Sequence, residues 1–162
     1  MIGLDLLKDK IGSAPASALT DGSALFDKRY KEYRTKKKQP EEQVFVYTGN
    51  TYDAIFLLAL AMQKTIISKK QITGEAIRDA LREVANPPGE QVTVGEWKKA
   101  VDLLKQGKDI NYEGASGAVD FDDHGDVVSP ARVWKIVDGK ITEGELCQLE
   151  RQEGAFVVKR CQ

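Results

Sequence analysis

Residues 110–138, INYEGASGAVDFDDHGDVVSPARVWKIVD, decide how the chain is read. A small-residue turn, Gly114-Ala115-Ser116-Gly117, leads into a short alternating run, Ala118-Val119-Asp120-Phe121. An acidic turn, Asp122-Asp123-His124-Gly125-Asp126, follows. A second alternating run holds Val133, Trp134, Ile136 and Val137, and Asp138-Gly139 turns the chain again. Asp- and Gly-containing turns between alternating apolar runs are a strong short-range hairpin signal, because these residues tolerate positive φ. The stretch is therefore predicted to be a β-hairpin or meander.

Upstream of it the periodicity changes from two to helical. Thr20, Asp21 and Ser23 are competent N-caps, and Leu25, Phe26, Arg29, Tyr30 and Tyr33 share one face, which predicts a helix over 22–35. Pro15 keeps the segment before it extended. Val44-Phe45-Val46-Tyr47 reads as a short strand broken by Thr48-Gly49-Asn50. A helix over 51–67 then carries Ile55, Phe56, Leu57, Leu58, Leu60 and Met62, apolar almost all round and so expected to be deeply buried. Thr73 caps a third helix over 74–85, stopped by Asn86-Pro87-Pro88-Gly89. Thr93 and Glu96 form a T-x-x-E capping box for a fourth over 94–106, with Trp97, Val101 and Leu104 inward and Gly107 after its end. Lys140-Ile141-Thr142 continues the meander, Gly154 breaks the next stretch, and Ala155-Phe156-Val157-Val158 is a last strand. Strand, glycine turn and buried helix in succession indicate an α/β layer.

The bulk numbers fit one globular domain: 162 residues, 41% hydrophobic and 30% charged. Twenty-four Lys and Arg against 25 Asp and Glu leave no global field that would favour nucleic acid or an anionic membrane. The basic run Arg34 to Lys38 suits a solvated helix end. Ala54 to Met62 is too short to span a bilayer. Met1 runs straight into Ile2-Gly3-Leu4 with no signal-peptide pattern, so the chain reads as cytoplasmic or as an excised piece of something longer.

The chemistry-bearing motifs are few. Asp120, Asp122 and His124 alternate before Gly125 like half a calcium loop, but Ala131 stands where the bidentate Glu belongs, so a plain turn is expected. Gly114-Ala115-Ser116-Gly117 approaches a nucleophile elbow with its second glycine one place early, and His124 is the sole histidine. No phosphate-binding glycine pattern, C-x-x-C or H-E-x-x-H is present. No catalytic residue, metal ligand or cofactor is therefore expected, and the chain does not read as an enzyme. Cys147 and Cys161 lack a metal spacing. They read either as a disulfide, if the protein is exported, or as two unpaired thiols. One loop has the makings of a binding site. Tyr47-Thr48-Gly49-Asn50-Thr51-Tyr52-Asp53 lies between a predicted strand and a buried helix, where open α/β sheets bind ligands. It offers aromatic faces, hydroxyls and amides. The same residues also suit a plain N-terminus, with Asn50 and Thr51 as caps and Asp53 facing the helix dipole.

Three segments in register resemble the type I periplasmic solute-binding proteins, and among these the branched-chain amino acid (Leu/Ile/Val-type) binding proteins of ABC transporters. They are Tyr112 to Gly117 with Val119-Asp120-Phe121-Asp122 and Gly125-Asp126; Tyr52-Asp53-Ala54 heading an apolar helix; and Ala76-Ile77-Arg78-Asp79-Ala80-Leu81. The resemblance covers about residues 10–142. It implies an α/β fold that is part of a two-lobed, Rossmann-like periplasmic-binding-protein architecture, here about four helices plus a C-terminal β-hairpin or meander. By that resemblance residues 1–43 would be the second-lobe end and crossover, 44–109 first-lobe elements, and 110–162 the C-terminal hairpin and tail. The implied function is binding of an amino acid or similar small molecule, without chemistry, in an interlobe cleft, with an ABC permease as partner of the full-length protein in the periplasm or outside the cell. Tyr47, Asn50, Tyr52 and Asp53 are the residues that would line the cleft wall. Two alternatives remain beside uptake: a ligand-sensing regulatory domain of the same fold, and a non-catalytic interaction fragment that forms homo-oligomers through uncovered apolar surface. The tail with Cys147 and Cys161 lies outside the resemblance.

Overall fold

The computed structural model describes residues 7–40, 46–152 and 155–162. They form two compact units, one of the described residues within 19–127 and one of the described residues within 7–18 and 128–162.

The 19–127 unit is an α/β layer with four helices. Helix α1, Asp21–Lys36, starts at Thr20, whose side chain accepts from the Ser23 N–H while Ser23 answers with its own side chain at the Thr20 backbone. Helix α2 runs Val46–Ile67. It begins earlier than the sequence suggests. Of the predicted strand 44–47, residues 44 and 45 lie outside the described residues, and 46 and 47 are helical. Gly49 does not break this helix. It sits buried on the inner face, where a Cβ would meet the Ala115 backbone at an ordinary contact distance of 3.4 Å, so the helix carries this glycine facing the 114–117 turn without a break. Helix α3, Gly74–Ala85, is capped by Thr73, which accepts from the Ala76 N–H at 3.1 Å.

Strand β2, Glu90–Thr93, helix α4, Trp97–Lys105, and strand β3, Ile110–Glu113, make a β-α-β unit. The two strands pair in parallel, Val92 opposite Tyr112. Parallel pairing needs a crossover, which α4 supplies. Its end is a Schellman turn: Gly107, at φ 73°, donates to Leu104 and Lys108 donates to Leu103. Half of the expected capping box forms. The Thr93 N–H donates to Glu96 Oε2 at 3.0 Å, but the Thr93 hydroxyl is drawn to the Glu113 carbonyl at 2.8 Å, and Glu96 is the residue at the N-cap.

Leu57, Leu60 and Ala61 of α2 meet Ala80, Val84 and Ala85 of α3, Leu103 and Leu104 of α4, and Val92, Ile110 and Tyr112 of the strands in one buried cluster. The opposite face of α2 corrects the expectation of an all-round buried helix: Ile55 is 65% exposed, and Leu58, Met62 and Ile66 are exposed too. No described element of this unit covers them.

The deciding stretch is also not one hairpin. Its first segment is β3, paired in parallel with β2. Its acidic turn is closed by a bridge between Phe121 and Val127 and held against α3, where the Asn86 side chain donates to and accepts from Phe121 and Arg82 donates to the Asp122 carbonyl. The Asp122 carboxylate accepts from the His124 and Asp126 N–H groups, an Asx turn.

The second run is β4, Ala131–Val137, in the other unit. This is a four-stranded antiparallel sheet of order β1-β4-β5-β6, with β1 at Ile11–Pro15, β5 at Lys140–Gln152 and β6 at Ala155–Cys161. Asp138 and Gly139, at φ 48° and 68°, form the two-residue loop between β4 and β5, the positive-φ pair that a type I′ hairpin needs. Gly12 of β1 lies beneath the Trp134 indole, which a Cβ would overlap. Cys147 and Cys161 face each other across β5 and β6 and are joined in a disulfide. Gly154, the expected breaker, lies outside the described residues.

Leu60 has no accessible surface. Leu60→Ala is expected to lower the unfolding free energy by about 2–5 kcal/mol, read by urea denaturation.

Candidate functional site

Asp53 organises the end of the 19–127 unit where α2 begins. It lies in the second turn of α2 rather than at its N-terminus, points inward, and is 2% exposed. One carboxylate oxygen accepts from the Tyr112 hydroxyl and the Ala115 N–H, both at 2.8 Å. The other accepts from the Ser116 N–H at 2.7 Å and the Ser116 hydroxyl at 2.6 Å. A carboxylate has about four lone-pair positions, so its acceptor capacity is filled. Such charge-assisted bonds are the condition for burying the group at all. Two of the segments that suggested a family are thus physical partners.

The small-residue turn is shaped by the same carboxylate. Gly114 and Gly117 exchange backbone hydrogen bonds. A Cβ on Gly114 would overlap the Asp53 carboxylate, and Gly117 adopts φ 119°. Glycine at both positions lets two successive N–H groups turn toward one acceptor. Ser116, which suggested an elbow, spends its hydroxyl on Asp53.

Aromatic rings extend the clamp sideways. Tyr112 stacks on Phe56 at 4.9 Å between centroids, Phe56 on Tyr52 at 5.7 Å, and Tyr52 meets Phe26 of α1 at 5.2 Å. Trp97 of α4 stands edge-on to Phe56 at 5.7 Å. The Tyr52 hydroxyl accepts from the Gly95 N–H at 3.0 Å, and Arg29 of α1 donates to the Val94 carbonyl beside it. Burial holds both the Tyr52 and Tyr112 hydroxyls above the usual phenol range, with Asp53 adding to the effect at Tyr112, so both stay protonated.

The four expected site residues therefore fall in different places. Tyr47 and Asn50 are exposed on the first two turns of α2, Tyr47 at 62%. Tyr52 is half-buried in the aromatic row, and Asp53 is enclosed. Because α2 starts at Val46, Asn50 and Thr51 are not caps; the Thr51 hydroxyl instead donates to the Tyr47 carbonyl at 2.7 Å. The sequence reading missed Tyr112, the Ser116 donors and the row through Phe56. An aspartate in an otherwise apolar helix was the available signal, since such a charge must find several donors. A separate cavity of about 450 Å³ lies between α3 and the acidic turn, lined by Arg78, Arg82, Leu81, Phe121 and His124 among others. None of Tyr47, Asn50, Tyr52 and Asp53 lines it.

Helices on a parallel strand pair make this unit an α/β domain, and the family match identifies it as a fragment of a type I periplasmic-binding fold. The chain belongs to the family described as the receptor family ligand binding region, whose model matches residues 20–138. It is also similar to the chemotactic signal transduction system substrate-binding protein BasB of Halobacterium salinarum, with 34% identity over 100 residues. That match covers 62% of this chain and 23% of the relative, so the chain spans under a quarter of that protein's length. No solved structure matches the chain significantly.

Asp53→Asn puts an amide N–H₂ against donors and is expected to cost on the order of 3–5 kcal/mol, whereas Tyr112→Phe, which removes one donor, is expected to cost about 1–3 kcal/mol. Denaturant titration of both variants reads the difference. The neighbouring Glu113 predicts a pH effect. Partial burial first, then Asp120 nearby, raises its carboxyl above the ordinary value of 4.5. The folded state thus holds this proton more tightly than the unfolded chain. Stability falls as pH rises from the unfolded value through the raised folded one, and the loss is complete above it. Glu113→Gln should therefore melt higher than the parent at neutral pH, with the advantage gone below about pH 4. Paired thermal melts across that range check it.

Proposed function

We propose that the chain is the C-terminal part of an extracytoplasmic solute-binding protein that holds a small amino-acid-like ligand without chemical change. The observation that carries this reading is the Asp53 clamp. It fixes the second turn of α2 against the 114–117 turn, and so presents Tyr47 and Asn50 on a held edge. Preorganised polar and aromatic groups of this kind give orientation and affinity at low entropic cost. In this reading Tyr47 and Asn50 touch the ligand, and Tyr52 and Asp53 hold them in place. The remaining ligand contacts come from the rest of a longer parent protein, in a cleft between its lobes.

Branched-chain or related amino acids are the proposed ligand class, on the strength of the three segments that resemble the Leu/Ile/Val-type proteins. The proposed partner is the permease of an ABC uptake system, and the proposed location the periplasm or cell exterior. BasB belongs to a chemotactic signal transduction system, which supports sensing of the same ligand class as the alternative readout. Calorimetry and thermal shift with leucine, isoleucine and valine, on this chain and on its longest natural form, test the proposal. Saturable heat with at least one, weakened about tenfold by Asn50→Ala, is the expected result. Silence of both forms toward all three would sink it. Binding abolished by His124→Ala but not by Asn50→Ala would move the site to the α3 cavity.

The exposed side of α2 favours a second reading, an interaction fragment. Of the charged residues in α2, Asp53 is buried and Lys64 turns to Glu83 and Asp109. The face bearing Ile55, Leu58, Met62 and Ile66 therefore carries no charge. A two-fold contact sets a surface against itself, and an uncharged one meets no like-charge repulsion. The occupant proposed is a second copy of this chain. Light scattering should then show a dimer that Ile55→Glu dissociates; a monomer at tens of micromolar removes this reading.

A further inference from the structure

Residues 139–162 lie beyond the segment matched by the family model, and the ligand reading makes no use of them. They hold both cysteines. We propose that reduction of the Cys147–Cys161 disulfide turns this end of the β5–β6 pair into a zinc site, with the two thiolates and the Glu145 carboxylate as its protein ligands.

The three groups converge because of strand geometry. The cysteines are 14 residues apart in sequence, which matches no metal-binding spacing, yet β5 and β6 set them directly opposite each other. Glu145 is two residues before Cys147 on the same strand and so projects from the same face. A carboxylate oxygen and the two sulfurs lie within 4.8 Å of one another. Among the described residues this is the one group of histidine, cysteine or acidic side chains so arranged.

The backbone keeps the arrangement when the sulfur–sulfur bond is cut. Leu146 and Gln162 exchange both of their hydrogen bonds, at 2.9 and 3.0 Å. Cys147 and Cys161 are therefore the adjoining non-hydrogen-bonded pair, the position where antiparallel side chains come closest. A tetrahedral zinc with Zn–S bonds of about 2.3 Å needs its two sulfurs about 3.8 Å apart. Cross-strand side chains reach that separation by modest rotation about χ1. Cys147 is buried, while Cys161 and Glu145 are exposed, so one side of the site is shielded and the other open to ion and reductant. Three protein ligands leave the fourth position to water.

The chemistry balances with a dithiol reductant. Its thiolate attacks one sulfur of the bridge, its second thiol displaces the mixed disulfide, and the reductant leaves as its own disulfide. Cys147 and Cys161 are left as two thiols. Zinc then displaces both thiol protons to solvent and takes the Glu145 carboxylate, so the centre carries one net negative charge. Exchange with the reductant's own disulfide runs the steps backward: the Cys147–Cys161 bridge re-forms, the reductant returns to the dithiol state by taking up two protons, and zinc leaves as the divalent ion.

The test uses the whole chain, reduced by a water-soluble phosphine that is itself converted to the phosphine oxide. Cobalt(II) is titrated in as the spectroscopic stand-in for zinc. The reduced protein is expected to bind one equivalent with a sulfur-to-cobalt charge-transfer band and tetrahedral d–d bands, both bleached by one equivalent of zinc. The oxidised protein should show neither band. Cys161→Ser, at the exposed cysteine where folding is least at risk, should lose the site. Glu145→Gln should keep the fold and weaken binding by about tenfold or more. A reduced protein with an unchanged circular dichroism spectrum and no cobalt band overturns the proposal. So does collapse of the strand signal on reduction that metal fails to restore, or equal affinity in Glu145→Gln.

Discussion

One buried carboxylate constrains the 19–127 unit. Asp53 sits in an apolar helix at 2% exposure, and an isolated charge there would cost several kcal/mol. Four donors within 2.8 Å remove that cost, and three of them come from one short turn. Each consequence follows from supplying those donors. Gly114 must lack a side chain because the carboxylate occupies its space. Gly117 must take a positive φ so that the turn closes behind the donors. Tyr112 must point into the core rather than away from it, which sets the inward face of β3 and the register of the parallel pair. The aromatic row then packs on a ring whose position the carboxylate has already determined.

The same constraint explains why α2 is asymmetric. Its inner face carries Gly49, Asp53, Leu57, Leu60 and Ala61 against the strands and the other helices. Its outer face is as apolar but meets no described element of the unit. Sequence periodicity alone reads such a helix as buried all round, because it registers the apolar residues and not how many partners are present to cover them. A two-stranded parallel sheet is unusual for the same reason, since parallel strands are ordinarily covered on both faces within a larger sheet. In the proposed reading both features belong to a lobe that the parent protein completes.

Helices were legible where local chemistry decides them. Thr73 caps where the sequence places it, Thr20 serves among the three candidate caps of α1, Gly107 ends α4 in positive φ, and Asp138-Gly139 forms the tight loop of a hairpin. What was not legible is what depends on distant partners. Strand β2 is Glu90-Gln91-Val92-Thr93, with one apolar residue, and becomes a strand only because β3 lies beside it. Gly49 looked like a breaker because nothing local reveals that its face of α2 is buried against the 114–117 turn. Residues 110–138 alternated like one hairpin, yet they divide between two units: β3 pairs with an earlier strand, and β4 with β1 and β5. The segments that suggested the family, Tyr52-Asp53-Ala54 and Gly114 to Gly117, were legible as words but not as a bonded pair.

That pair also limits how a ligand could be held. An amino acid brings an ammonium and a carboxylate, and the nearest acid in the sequence, Asp53, has no acceptor position left for the ammonium. Opening one would strip a donor from the turn and leave a buried charge under-satisfied, which costs more than a single ligand contact returns. The contacts available on this edge are therefore neutral ones: the Tyr47 ring and hydroxyl and the Asn50 amide. Charge recognition in the proposed parent must come from elsewhere in its chain. The division of labour is physical in origin. A group buried deeply enough to hold a turn rigid has already exchanged its water for protein donors, and that exchange leaves it nothing with which to bind a ligand.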